Sequence, residues 1–342
     1  MVEILKIAGI YMGIIIGAGF ASGQEILSFF TVYGEKWIFG MVFSGLIFSI
    51  VGGTTVKIIY DNNIKSSEIF FTKISGRFFG KVFDLISAVF TVVLFMAMYS
   101  ASGGFMEEGL GLCRIYGSII LFILCFIVFC FGSSGVGVVN GILSPIILFL
   151  SIIVCIYIFI SKDKMVFMYG IMENSDYKWL FSALVYSSYN IITGIASLTS
   201  SNDIIMKNEK TFFGGILGGI GMGVIGIFTG AVLFIYSDIA SGVELPLLSI
   251  LKNSENYIKA MYFVVIWCAI ISTALGNGYA FVERMSNKLS INRCVLSFFL
   301  SLFGIIFTYA DFSVVVGSLY SYFGVIGIFM IIFVIIYTLK NY

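Results

Sequence analysis

The sequence predicts an all-α membrane protein with about ten transmembrane helices in two halves of opposite orientation. Composition is the first reason: hydrophobic residues make up 60% of the chain and charged residues only 11%, with a mean hydropathy of +1.08. These values lie far outside the range of soluble domains. The second reason is that polar, glycine-containing stretches interrupt two apolar segments at matching places, residues 13–25 and 186–194.

Uncharged runs of about 20 residues locate the individual spans. One run, residues 115–161, is long enough for two spans, and the stretch "GSSGVGVVNG" at 132–141 divides it. The other predicted spans are residues 7–33, 37–56, 85–106, 179–202, 211–237, 260–282, 294–310 and 312–339. We therefore expect a single domain over residues 1–342, with repeats at approximately 1–161 and 178–340. Because each repeat holds five helices, the two insert with inverted orientations.

The lysines and arginines indicate the orientation. With a cytoplasmic N-terminus, twelve of the 19 basic residues fall on the inner side, and the other seven, including Lys162 and Lys164, fall on the outer side. We expect a multi-pass protein of the cell inner membrane with both termini in the cytoplasm. The first segment lacks a basic region followed by a small-residue cleavage site, so we expect it to be retained as a span.

Several functional classes are disfavoured by the residues themselves. The chain has no histidine, which removes histidine triads and most zinc sites. Its six cysteines have no CxxC pairing and are typical of small buried hydrophobic residues. No basic cluster indicates nucleic acid, and the loops are short. We expect neither an enzyme nor a cofactor other than a coupling ion.

The stretch "GIIIGAGFASGQE" at residues 13–25 is unusual for a membrane helix. It has glycine at positions 13, 17, 19 and 23 and ends at Glu25. Unwound backbone in a bilayer needs a ligand or a polar cavity for its free groups, whereas the alternative is close helix packing through GxxxG spacing. The polar residues after the glycines favour unwinding here. No polar residue accompanies Gly215, Gly219 and Gly223, which favours packing in that span.

A second interruption is predicted at "YSSYNIITG", residues 186–194. This polar cluster lies in the middle of an otherwise apolar segment. It occupies the same position in the second half that residues 13–25 occupy in the first. Paired broken helices of this kind are typical of secondary transporters, which bind solute and ion between the breaks.

Three stretches carry a family resemblance: "GAGFASGQE" at 17–25, "SYN" at 188–190 and "ISTALGNGYAF" at 271–281. On a ten-span chain of this length, they resemble the YkvI-like family of bacterial membrane proteins. That family is related to the LeuT-fold transporters of the amino acid–polyamine–organocation superfamily. The resemblance covers essentially the whole chain. It implies a LeuT-like 5+5 inverted repeat with discontinuous helices 1 and 6, and a bundle of spans 1, 2, 6 and 7 that rocks against a scaffold of 3, 4, 8 and 9.

The resemblance also implies one sodium site between spans one and eight. The ligands that it assigns are the carbonyls of Gly13 and Ile16, together with Ala269, Ser272 and Thr273. The alternative is that the two hydroxyls bond to their own helix. Relatives with a second sodium site have an asparagine where this chain has phenylalanine at position 20, so no second site of that type is expected.

The substrate is expected between the two predicted breaks. By resemblance, a substrate carboxylate contacts backbone amides of the first break and a tyrosine of span three, although that tyrosine equally fits an ordinary core position. Side chains of the second break are expected to bind an ammonium group or to line the pocket, and Phe20 is a candidate gate. The candidate residues are Ala18, Gly19, Phe20, Tyr99, Ser187, Ser188, Tyr189 and Asn190.

Glu25 is the only charged residue well inside a predicted span, and such residues are usually functional. It is a candidate ligand for a substrate ammonium, a carrier of a coupled proton, or a structural acceptor for free amides. We expect a symporter that couples sodium to an amino acid or similar zwitterion, with the lipid bilayer as surroundings. The alternatives are proton coupling through Glu25, a membrane sensor or accessory subunit without transport, or a channel.

Overall fold

The computed structural model describes residues 1–161, 177–252 and 254–341. Within these residues the secondary structure is entirely helical. Short 3₁₀ turns cover Thr31–Lys36, Glu209–Thr211 and Ile305–Tyr309, and π turns cover Phe105–Gly109 and Val315–Tyr320. The α-helices are α1 (Val2–Ile15), α2 (Ala18–Ser22), α3 (Gln24–Phe29), α4 (Trp37–Asn62), α5 (Ser67–Gly104), α6 (Arg114–Cys130), α7 (Gly132–Ser161), α8 (Lys178–Ser200), α9 (Asn202–Ile205), α10 (Phe212–Ile235), α11 (Ser237–Ala240), α12 (Pro246–Leu251), α13 (Asn256–Leu289), α14 (Arg293–Gly304), α15 (Phe312–Val314) and α16 (Ser321–Asn341).

The prediction of an all-α chain with several membrane-spanning helices is confirmed. In the described part of the chain, six helices are long and apolar enough to cross a membrane, and α6 and α14 belong to two shorter apolar helices. The count of ten spans remains a prediction. The connection between the predicted repeats, residues 162–176 with Lys162 and Lys164, lies outside the described residues.

The first predicted span is interrupted twice. Helix α1 ends at Ile15, and Ile16 (φ −77°, ψ 74°) and Gly17 (φ −90°, ψ −170°) leave the helical conformation before α2 begins. Gly23 separates α2 from α3 in the left-handed region, at φ 84° and ψ −5°, where a side chain is strained. The interruption predicted for this stretch is therefore present.

The predicted break at residues 186–194 is wrong, because α8 is one helix from Lys178 to Ser200. Three of the polar side chains in its middle bond to their own helix. Ser187, Asn190 and Thr193 each donate to a carbonyl one turn earlier in α8, at 2.8, 3.1 and 2.9 Å. Such back-bonding is common for short polar side chains in helices and requires no unwinding.

Gly194, which the sequence pattern assigned to a break, instead makes room for the ring of Tyr11. That ring lies in a socket formed by one glycine from each of three helices: an added Cβ would lie 2.5 Å from it at Gly52, 2.7 Å at Gly194 and 2.9 Å at Gly218. The Tyr11 hydroxyl donates to the carbonyl of Phe48 at 3.2 Å. This glycine socket joins α1 to α4, α8 and α10 as one bundle.

Close packing between α4 and α10 uses the glycines for which packing was predicted. A Cβ at Gly215 or Gly219 would collide with the backbone of α4, and a Cβ at Gly223 would lie 3.2 Å from the Cα of Gly45. The two backbones approach each other because α10 has no side chain at these positions. The packing role predicted for these glycines is confirmed.

A second group consists of α5, α6, α13 and α14, which contact one another. At one end, the Arg284 guanidinium of α13 pairs with Asp84 of α5, with Nη1 donating to Oδ1 at 2.8 Å. Helix α2 is tied to this group as well, since the Tyr262 hydroxyl of α13 donates to the Ala21 carbonyl at 3.0 Å. The two groups correspond to the bundle and scaffold that the family resemblance implies.

Candidate functional site

A small cavity lies beside the interruption between α1 and α2. Its volume of about 20 Å³ is enough for roughly one water-sized group. Six helices (α1, α2, α3, α5, α8 and α13) and a π turn surround it, so the cavity sits between the bundle and the scaffold. We call it the central cavity; it is lined by Ile14, Ile15, Gly17, Ala18, Gly19, Glu25, Phe90, Leu94, Met98, Tyr189, Asn190, Thr193, Thr273, Asn277 and Tyr320.

The interruption releases carbonyl groups at the end of α1. The Gly17 amide, which in a continuous helix would bond the Gly13 carbonyl, donates to Ile15 at 2.8 Å. The Ala18 amide donates to Thr273 Oγ1 at 3.3 Å instead of to the carbonyl one turn earlier. Carbonyl oxygens freed at a helix C-terminus carry partial negative charge and attract cations.

A larger cavity, of about 520 Å³, reaches the central cavity from the side of Lys6. We call it the vestibule. Ile14, Thr273 and Asn277 line both spaces, so these three residues form the partition between them. The vestibule is lined by Lys6, Gly9, Ile10, Gly13, Ile14, Gly137, Asn140, Gly141, Ser144, Pro145, Leu148, Ser197, Ile204, Ser272, Thr273 and Asn277.

Three of the five residues predicted to bind sodium line the vestibule: Gly13, Ser272 and Thr273, the last of them at the inner end, on the partition with the central cavity. The other two, Ile16 and Ala269, are buried and line neither cavity.

Helix α7 adds oxygen atoms that the sequence did not indicate. Asn140 Nδ2 donates to the Ser272 carbonyl at 3.4 Å, and its buried Oδ1 has no hydrogen-bond partner among the described residues. Ser144, one turn later on α7, faces Gly13: a Cβ added at Gly13 would lie 3.5 Å from Ser144 Oγ. This end of the vestibule therefore collects uncharged oxygen donors.

Glu25 belongs to the central cavity. Its side chain is 5% exposed and folds back so closely on Gly19 that a Cβ there would collide with Oε1. Oε2 has no hydrogen-bond partner among the described residues, and none of the ion pairs found there involves this carboxylate. A carboxylate buried without a positive partner is costly, so the site is suited to a cation or a proton.

Only some of the residues predicted to bind substrate line the central cavity. Ala18, Gly19, Tyr189 and Asn190 line the central cavity, whereas Phe20 is buried outside that lining. The Ala18 amide is already bonded to Thr273.

Three other candidates face away from the cavity. Ser187 bonds to its own helix, and Ser188 donates to the Gly324 carbonyl of α16. Tyr99 packs inside the scaffold against Phe95, with ring centroids 5.3 Å apart, and from α5 the cavity instead receives Phe90, Leu94 and Met98. Tyr99 does not line the central cavity, and its contact with a substrate stays a prediction.

The chain is similar to two proteins of Bacillus subtilis (strain 168), and no family model matches it. It is 23% identical over 335 residues to the uncharacterized membrane protein YkvI, covering 94% of this chain and 92% of that protein. It is 22% identical over 333 residues to the uncharacterized protein YyaD, covering 96% and 95%.

Solved structures match over nearly the whole chain. A Na⁺-coupled sialic acid symporter in its substrate-bound outward-open state gives a TM-score of 0.60 at 15% identity, covering 94% of this chain and 75% of that one. MhsT in complex with L-phenylalanine gives 0.62 at 14%, covering 96% and 87%. The fold is LeuT-like. Mhp1, a nucleobase-cation-symport-1 family transporter in a closed conformation with bromovinylhydantoin bound, gives 0.58 at 12%, covering 92% and 74%.

In this LeuT-like fold, a cluster of charges closes the end of α5 that is remote from Asp84. The Arg114 guanidinium donates to both Glu244 oxygens at 2.9 and 3.0 Å, to Glu107 at 3.0 Å and to the Thr308 carbonyl at 3.0 Å. Burial raises the pKa of the Glu244 carboxyl, and the hydrogen bond from Arg114 opposes that rise. We call these residues the Arg114 cluster.

The vestibule opens at the other end of α5. Ile204 of α9 lines it, and the neighbouring Asn202 donates to the carbonyl of Ile64, just before α5 begins, at 2.9 Å. Asp84 and Glu107 are separated by about 34 Å along the helix, at 1.5 Å per residue, which is comparable to the thickness of a bilayer core. The central cavity therefore has a large approach space on one side and the Arg114 cluster on the other.

Among the lining residues that were not predicted as site residues, four carry a polar or aromatic side chain: Phe90, Thr193, Asn277 and Tyr320. Thr193 and Asn277 lie within stretches that the sequence had already marked, and each follows a marked polar residue by one helical turn or less. Phe90 and Tyr320 carry no such signal, since they are two among 36 phenylalanines and 19 tyrosines in apolar runs.

Proposed function

We propose that the protein is a secondary active transporter that couples sodium to the uptake of a small organic solute, an amino acid or similar zwitterion, by alternating access. The interruption at Ile16 and Gly17 is the observation that carries the proposal. It frees backbone groups beside the partition between the central cavity and the vestibule, where a continuous helix would offer none, and the Thr273 hydroxyl and the Glu25 carboxylate line the same cavity. The fold neighbours are transporters rather than enzymes, which agrees with this assignment.

Sodium is proposed to bind at the inner end of the vestibule. The Gly13 carbonyl, Ser272 Oγ and Thr273 Oγ1 supply oxygen ligands there, and Asn140 Oδ1 supplies one more. Hard cations prefer oxygen ligands, and broken transporter helices coordinate Na⁺ through carbonyls of this kind. The carbonyls of Ile16 and Ala269 complete the set implied by the family resemblance if the site tightens when the ion enters.

The direction of access follows from the proposed topology. With the N-terminus in the cytoplasm, the vestibule beside Lys6 is the cytoplasmic approach and the Arg114 cluster is the outer closure. This arrangement corresponds to a state facing the cytoplasm. Inverted repeats at residues 1–161 and 178–340 would supply the second, outward-facing state by exchange of the two conformations.

Transport by purified protein in liposomes tests the proposal. An inward sodium gradient is expected to drive accumulation of a labelled amino acid. Thr273→Ala is expected to reduce the sodium dependence by about tenfold, since it removes one ligand oxygen and roughly 1.4 kcal/mol of binding. Thr273→Ser, which keeps the hydroxyl, is the matched control and should retain most of the coupling.

Proton coupling is the second candidate, and the unpaired Glu25 carboxylate is the observation that favours it. Under this alternative, uptake does not depend on sodium and is driven by a pH gradient. It is also abolished by Glu25→Gln, while Thr273→Ala has no effect. That set of results would replace the sodium assignment.

A further inference from the structure

Three aromatic rings from separate elements meet at the central cavity. Phe90 of α5, Tyr189 of α8 and Tyr320 at the end of the last π turn all line it. Their centroids are 6.0 Å (Phe90 to Tyr189), 5.9 Å (Phe90 to Tyr320) and 5.2 Å (Tyr189 to Tyr320) apart, and all three pairs are edge to face. Ring faces are negative and attract cations, and three rings around one space resemble the cages that hold organic ammonium groups.

Glu25 brings a carboxylate to the same space. It is close enough to interact electrostatically with the hydroxyls of Tyr186, Tyr189 and Tyr320. Within the described residues, the lining contains no lysine or arginine. No positive side chain of the lining therefore faces the carboxyl group and the rings, and the buried Oε2 makes no hydrogen bond among the described residues.

The size of the space fits a small cationic head group. A volume of about 20 Å³ accommodates roughly one water molecule, and a primary ammonium group has similar dimensions. Thr193 and Asn190 add neutral polar groups to the wall. A group that donates hydrogen bonds and carries positive charge satisfies every feature of this lining.

A solute carboxylate has no equivalent place. At the start of α2, the Ala18 amide is already bonded to Thr273. The Glu25 carboxylate lies against Gly19, so a second carboxylate bound there would experience repulsion from a like charge at short range.

We propose that Glu25, Phe90, Tyr189 and Tyr320 form an ammonium subsite, so that the transported solute must carry a protonated amine while its carboxylate is dispensable. This inference rests on the proposed transport function and names the chemical class of its substrate. Amines without a carboxylate are then ligands, and carboxylic acids without an amine are not.

Matched sets of compounds test this directly. Binding to the full-length protein in detergent is measured by thermal shift and calorimetry with ethylamine, alanine and propionate, and with phenethylamine, phenylalanine and 3-phenylpropionate. At least one amine is expected to bind, with an affinity within about tenfold of that of the corresponding amino acid. Neither acid is expected to bind. Binding of the acids as tight as that of the amines, or no binding of any amine, overturns the proposal.

Variants separate the subsite from a structural role. Glu25→Gln is expected to weaken amine binding by about 30-fold or more, as for loss of one partner in a buried charge pair. Tyr320→Leu is expected to weaken it several-fold through loss of cation–π attraction, whereas Tyr320→Phe keeps the ring and should bind nearly normally. Each variant's melting curve without ligand checks that it folds. Amine binding that survives in folded Glu25→Gln contradicts the proposal.

Failure of the subsite and failure of the transport function give different results. If sodium drives uptake of neutral or anionic solutes and Glu25→Gln transports normally, the function holds and the ammonium subsite is wrong. If amines bind in a manner that depends on Glu25 but no gradient drives their accumulation, the subsite holds and the transport function is wrong.

Discussion

Thr273 Oγ1 accepts a hydrogen bond from the Ala18 amide at 3.3 Å, across the point where the first segment is interrupted. A Cβ added at the adjacent Gly17 would lie 2.9 Å from the same oxygen. The hydroxyl therefore fills the space that a side chain at position 17 would need, and it replaces a hydrogen bond that the interruption removes from α1. The backbone conformation of the first segment and its contact with α13 therefore depend on one another at this pair of residues, which lies within the proposed ion site.

Gly17→Ala is expected to displace the Thr273 side chain by a few tenths of an ångström or more, because an alanine Cβ and Oγ1 would be in closer contact than packed atoms normally allow. We expect the sodium concentration for half-maximal uptake to rise about tenfold or more, since moving the Thr273 hydroxyl out of position weakens sodium binding by roughly 1.4 kcal/mol. Gly317→Ala, with no atom within 4 Å of its added Cβ and outside both cavity linings, is the control. Equal sodium dependence in both variants would contradict the role given to this contact.

Asn140→Ala is expected to weaken sodium dependence by about three- to tenfold, because it removes the unpartnered Oδ1 of the side chain whose Nδ2 bonds to the Ser272 carbonyl. The readout is sodium-induced thermal stabilisation, which does not require the substrate. Ser151→Ala serves as the control on the same helix, since Ser151 is outside the vestibule lining. A sodium response in Asn140→Ala identical to that of the unmodified protein would remove α7 from the ion site.

Arg114→Gln is expected to lower the free energy of unfolding by about 3 kcal/mol, the usual cost of leaving buried charges without their partner. The Arg114 and Glu244 side chains are only 14% and 11% exposed. Glu107→Gln, at a position 58% exposed, should cost less than about 1 kcal/mol. Chemical denaturation in detergent compares the two; similar losses would show that the pair with Glu244 is not the stabilising part of the cluster.

Gly219→Ala is expected to destabilise the protein by about 1–3 kcal/mol through overpacking, because the added Cβ meets the backbone of α4 rather than a flexible side chain. The melting temperature is the measurement. Gly137→Ala, where nothing lies within 4 Å of the added Cβ, should leave it unchanged or raise it slightly. A stable Gly219→Ala protein would mean that α4 and α10 can separate without cost.

Much of the fold was predictable because the bilayer constrains it strongly. Apolar runs located the helices, and the glycines at 215, 219 and 223 identified a packed face, since each signal arises from one segment alone. The interruption near Gly17 was also predictable, because several glycines adjoin a charged residue there.

The sequence could not show that the second predicted interruption is absent. Ser187 and Asn190 are polar residues in an apolar run, yet both donate hydrogen bonds to carbonyls of α8 itself. Gly194 is explained by another helix, because it leaves room for the ring of Tyr11 on α1. The candidate site was recovered only in part for the same reason. Phe90 and Tyr320 lie far apart in sequence and meet only through packing, which neither composition nor spacing encodes.

The glycine socket around Tyr11 has a mechanical consequence for the first segment. The Tyr11 ring packs against one glycine from each of α4, α8 and α10. We therefore expect α1 to move together with these three helices as one rigid body. Helix α2 is anchored to α13 at both ends, through Ala18 to Thr273 and through Tyr262 to Ala21. We therefore expect any relative motion between the two groups to be concentrated in Ile16 and Gly17, the two residues between α1 and α2, and to change the proposed ion and solute sites together.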